Sequence, residues 1–145
     1  MADSEDDRWR VKLDWSEPKQ TITMRMDHAF RGVVVIDGKG SIAGSHALIG
    51  LVEGARDEIG HEVIIESLVD LRKLHGAPLR SQLIIGKWLF KRKDQIRKIA
   101  VFGGSRVEMK LASTIMTIAR MKNAHFTKHL SNALTWLEWP ADFHK

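Results

Sequence analysis

The sequence predicts a single α/β domain, a mixed β-sheet that opens with an antiparallel meander and carries about four helices. Two observations predict it. Apolar residues alternate with polar ones up to about residue 38, the period of a half-buried strand. From Ser45 onward, helical stripes alternate with short β-branched runs. A repeated strand–helix order implies crossover connections and parallel pairing. The length, 145 residues, fits one domain.

The elements follow in order. The polar, acidic start over residues 1–8 is expected to be disordered. Trp9, Val11, Leu13 and Trp15 alternate with Arg10, Lys12 and Asp14, giving the first strand. Pro18 marks a turn, because proline fixes φ and cannot donate to a ladder. Ile22, Met24 and Met26 put a second strand over Thr21–His28, and Val33-Val34-Val35-Ile36 a third over Gly32–Gly38. Ala47, Leu48, Leu51, Val52, Ala55 and Ile59 then make an amphipathic helix, with Ser45 as its expected N-cap and Gly60 as its stop. A strand over Val63–Leu71 precedes a helix over Leu79–Lys93, with Ser81 expected as its cap. A strand at Ile99–Phe102, a helix over Arg106–Arg120, a strand at Ala124–Thr127 and a helix over Ser131–Leu137 complete the domain, taken as residues 9–139. Residues 140–145 are expected to be a tail.

Composition narrows the function. There is no cysteine, which excludes disulfide scaffolds, thiolate metal sites and cysteine nucleophiles. No apolar run approaches the roughly 20 residues of a membrane span. The acidic start lacks the basic flank and apolar core of a secretory signal, so the cytoplasm is the expected location. Nine basic residues against one acid, Asp94, lie between Arg72 and Lys98. Such a surplus either solvates a surface or favours an anionic partner. No recognition motif points to nucleic acid.

The stretch Leu68-Val69-Asp70-Leu71, then a basic amphipathic helix, then 92–103 (RKDQIRKIAVFG) resembles the SpoIIAA-like proteins, relatives of the STAS domains of bacterial anti-sigma-factor antagonists. Val35-Ile36-Asp37-Gly38-Lys39-Gly40 is similar to that family's second strand and glycine-lysine turn. The resemblance spans roughly residues 21 to 139. It implies a mixed sheet of four or five strands with about four helices. It further implies a bacterial, non-enzymatic binding module. Residues 72–81 (RKLHGAPLRS) carry no Asp-Ser-Ser-Gly-type phosphorylation motif, so the phosphorylation-driven partner switch is not implied.

Two places are candidates for binding. Gly103-Gly104-Ser105-Arg106 joins a strand to a helix, as a tight turn or as a cradle for a small anion. It is neither a P-loop nor a nucleophile elbow. The helix over Leu79–Lys93 has two apolar faces: Ile85, Trp88 and Leu89 on one, Leu79, Leu83 and Phe90 nearly opposite. Arg80, Lys87 and Lys91 form a stripe between them. The second face is either covered by a neighbouring segment or meets a partner, which for an isologous contact is a second copy of the chain. Alternatively it lines a pocket for a small apolar or amphipathic anion, with a cation on the head group. His125 and His129 are four apart but diverge if His125 lies in a strand, so no metal site is expected. No catalytic residue and no cofactor are assigned.

Overall fold

The computed structural model describes residues 5–144. Strands β1 (Trp9–Glu17), β2 (Gln20–Asp27) and β3 (Arg31–Gly38) form the predicted antiparallel meander. Strands β4 (Ile65–Asp70), β5 (Ile96–Phe102) and β6 (Ala124–Thr127) then add in parallel. The six strands lie in chain order, β1-β2-β3-β4-β5-β6. Helix α1 is a single turn, Glu5–Arg8, and the longer helices are α2 (Ile42–Ile59), α3 (Leu79–Arg92), α4 (Arg106–Ala119) and α5 (Leu130–Leu137).

The pleat sorts each strand's residues between two cores. Ile22, Met24, Val34, Ile99 and Val101 face the larger core, which α2, α3 and α4 cover. Val33, Leu68, Ala100 and Phe102 face the smaller one, closed by Leu134 and Leu137 of α5 with Trp139 and Phe143. Trp9 departs from the predicted alternation. A register irregularity between Trp9 and Val11 sends Trp9 to the smaller core, edge-on to Phe143 with ring centroids 6.0 Å apart, while Val11 and Leu13 stay with the larger one.

Both ends of the chain differ from expectation. Residues 5–8, read as part of a disordered start, form the turn α1, and Arg8 donates to the Phe143 carbonyl. Residues 1–4 lie outside the described residues. The segment after residue 139, read as a tail, folds back: Phe143 is buried and His144 reaches Asp70 Oδ2 at 3.2 Å.

Two caps also differ. Ser41, not Ser45, is the N-cap of α2, its hydroxyl accepting from the Gly44 amide at 2.8 Å. Helix α3 begins after Pro78 with no side-chain cap, and Ser81 lies inside its first turn, buried. Ser45 and Ser81 are instead joined to each other. Helices α3 and α4 pack closely because Gly86 has no side chain; a Cβ there would stand 2.6 Å from Ile118 Cγ2.

Candidate ligand-binding cavity

Between the sheet and helices α2, α3 and α4 lies a cavity of about 150 Å³. Its floor is the inward face of β2 to β5, including Ile22, Val34 and Val101. Its roof includes Leu48 of α2, Ile85 and Trp88 of α3 and Ile115 of α4. Its lining is mainly apolar, and apolar cavities of about this volume accept benzene-sized guests.

One end is polar. Gln20, only 5% exposed, opens β2 on the same inward parity as Ile22 and Met24. Ser41 Oγ lies 3.2 Å from Gln20 Oε1 and 3.0 Å from Glu17 Oε1. Ser45 Oγ lies 3.1 Å from the Ser41 carbonyl and 2.7 Å from Ser81 Oγ. Gln20, Ser45 and Ser81 all line the cavity. Gly44 permits this approach, because a Cβ there would collide with the Gln20 amide.

The charged groups around the cavity have partners of their own. Glu108 is buried and lines the cavity, and its carboxylate accepts from the Ser105 hydroxyl. Glu53 fixes the roof from outside, accepting from Trp88 Nε1 at 3.1 Å and from Arg92 Nη2 at 2.7 Å. Burial pushes the Glu53 carboxyl up, but the hydrogen bonds from Arg92 and Trp88 outweigh that and hold it below its ordinary value. Arg56 is buried in α2 and donates to the carbonyls of Val63 and His61 at 2.9 and 3.2 Å, which ties the end of the helix to the chain entering β4. Burial depresses its guanidinium.

The two sequence candidates sit elsewhere. At Gly103–Arg106 the chain turns from β5 into α4. Gly103 has φ +85° and donates to the Thr127 carbonyl at 3.2 Å, and a side chain there would run into Arg72. Gly104 lies against Glu108 and Leu71. Ser105 is the N-cap residue of α4, but its hydroxyl is given to Glu108. The turn thus receives a carboxylate from its own helix, and Arg106 is exposed. On α3, Leu79, Leu83 and Phe90 point outward and are 76%, 51% and 43% exposed. They do not line the cavity, contrary to the pocket expectation; the opposite face, with Ile85, Trp88 and Leu89, does. Arg80, Lys87 and Lys91 are exposed beside them, and Lys93 Nζ sits 4.5 Å from the Phe90 ring centroid.

His125 lies in β6, stacked on Trp136 with centroids 5.0 Å apart, and His129 is the N-cap residue of α5. No group of three or more His, Asp or Glu side chains among the described residues is placed to hold a metal ion. No helix among them is long and apolar enough to cross a membrane.

The chain is similar, at TM-score 0.60, to the solved structure of an uncharacterised protein of the DUF3478 family with a SpoIIAA-like fold, from Shewanella loihica PV-4. The fold is SpoIIAA-like. The match has 19% sequence identity and covers 85% of this chain and 98% of that one. No protein-family model matches the sequence, and no curated protein does. Within the SpoIIAA-like fold, the sheet runs to six strands, where the resemblance implied four or five.

The polar end of the cavity was absent from the sequence candidates, although it left a trace. Gln20 precedes Ile22, Met24 and Met26 at strand parity, and Ser81 precedes Ile85 and Leu89 at helical spacing. A polar residue on an otherwise apolar stripe is the signal in both cases.

Proposed function

We propose that the chain is a non-enzymatic binding module of the STAS type that holds a small apolar or amphipathic molecule between its sheet and helices α2–α4. The cavity of about 150 Å³ carries this reading. Interiors are close-packed, and an unfilled volume of this size costs stability unless a ligand occupies it. The SpoIIAA-like fold supports a binding module in general. The test is a melting curve with and without toluene. A guest that binds only the folded state raises the melting temperature. Ala112→Leu, which fills part of the cavity, should remove that rise. No rise with the wild type overturns the reading.

A second reading rests on a separate observation. Leu79, Leu83 and Phe90 form an exposed apolar face on α3, with Val107 of α4 also exposed, and cations beside it. This supports contact with a protein partner, with a second copy of the chain the first choice. The two readings use opposite faces of α3 and are compatible.

A further inference from the structure

Resting on the cavity reading, we infer that the occupant is electrically neutral and carries one hydroxyl or carboxamide, placed at Gln20, Ser45 and Ser81. Three observations lead there. First, no lysine, arginine or histidine among the described residues lines the cavity. A ligand carboxylate would be buried without a cation and would share the space with Glu108, which is costly on both counts. Second, a ligand ammonium would have to leave water for a mainly apolar cavity, and pairing with the single lining carboxylate, Glu108, offsets that desolvation only in part.

Third, the polar end has unspent hydrogen-bonding capacity. The Ser41 hydroxyl has one proton, yet two acceptors stand within reach, Glu17 and Gln20. At most one end of the Gln20 amide is engaged there, in a residue only 5% exposed that lines the cavity. The Ser45 proton likewise goes either to the Ser41 carbonyl or to Ser81. In the first arrangement Ser81 donates to Ser45 and keeps a lone pair for a ligand donor. In the second, Ser81 has a free proton for a ligand acceptor. A head group that both donates and accepts suits this pair. The end of the Gln20 amide that Ser41 does not engage can pair with the head group as well.

The experiment compares toluene, benzyl alcohol, benzoate and benzylamine at pH 7, with affinities from chemical-shift titration of the full chain. Benzyl alcohol should bind at least about threefold tighter than toluene, the scale of one neutral hydrogen bond. Benzoate and benzylamine should bind more weakly than either. Gln20→Leu and, separately, Ser81→Ala should erase the alcohol's advantage while toluene still binds. Two variants are needed because Gln20→Leu can also disturb the Ser41 cap of α2. Toluene binding as tightly as the alcohol, or benzoate or benzylamine binding tightest, overturns the inference and leaves the cavity reading intact. No binding by any of the four overturns both.

Discussion

Ser45 Oγ of α2 and Ser81 Oγ of α3 lie 2.7 Å apart, and both residues are buried. This bond joins two helices across the polar end of the cavity, 36 residues apart in sequence. Ser45→Ala should lower stability by about 1 kcal/mol in urea unfolding, because it strands the Ser81 hydroxyl, and Ser81→Ala should cost less, because Ser45 keeps the Ser41 carbonyl. The double variant should lose less than the sum of the two, since the residues share one bond. Strict additivity would show that the pair does not couple α2 to α3.

Acid should act through Asp70. Its carboxylate is buried at the end of β4 and meets Arg72 Nη2 at 2.7 Å and His144 Nε2 at 3.2 Å. Burial pushes this carboxyl up, but the hydrogen bonds from His144 and Arg72 outweigh it and hold it well below the usual carboxylate range. The folded state therefore keeps this charge at a lower pH than the unfolded chain, whose value is about 3.9. The stabilisation is complete above that value and is lost as pH falls toward the depressed folded value. Asp70→Asn should lower stability at pH 7 by about 1–3 kcal/mol and make the fall between about pH 4 and pH 2 shallower. An acid limb unchanged by the substitution would place the titrating group elsewhere.

The outer face of α3 predicts an oligomer. Phe90 is 43% exposed, so replacing it should leave the fold intact. Covering its remaining apolar surface in a dimer would contribute about 1–2 kcal/mol per chain. Phe90→Asp should therefore turn a dimer into a monomer in light scattering while the far-ultraviolet circular dichroism stays the same. A wild type that is monomeric at high concentration ends the second-copy reading.

The sequence by itself determined the class and order of the six strands and of helices α2 to α5. Period-two runs produced the meander, and helical stripes between β-branched runs produced the parallel part, because these periods reflect which side of an element is buried. It also separated the two faces of α3, since residues three and four apart share a side. Only the tertiary structure decided what each face meets. The inner face of α3 roofs a cavity and the outer face is bare, and no helical period distinguishes a wall from a surface. The same holds for the serines: Ser45 and Ser81 have the side chains of caps, but they stand four and three residues past the N-cap positions and find each other across the core. Local chemistry permits either use, and the distance between two helices selects one. Trp9 shows the limit for strands, where a single irregularity between Trp9 and Val11 moves a side chain from one core to the other without changing the alternation that predicts it.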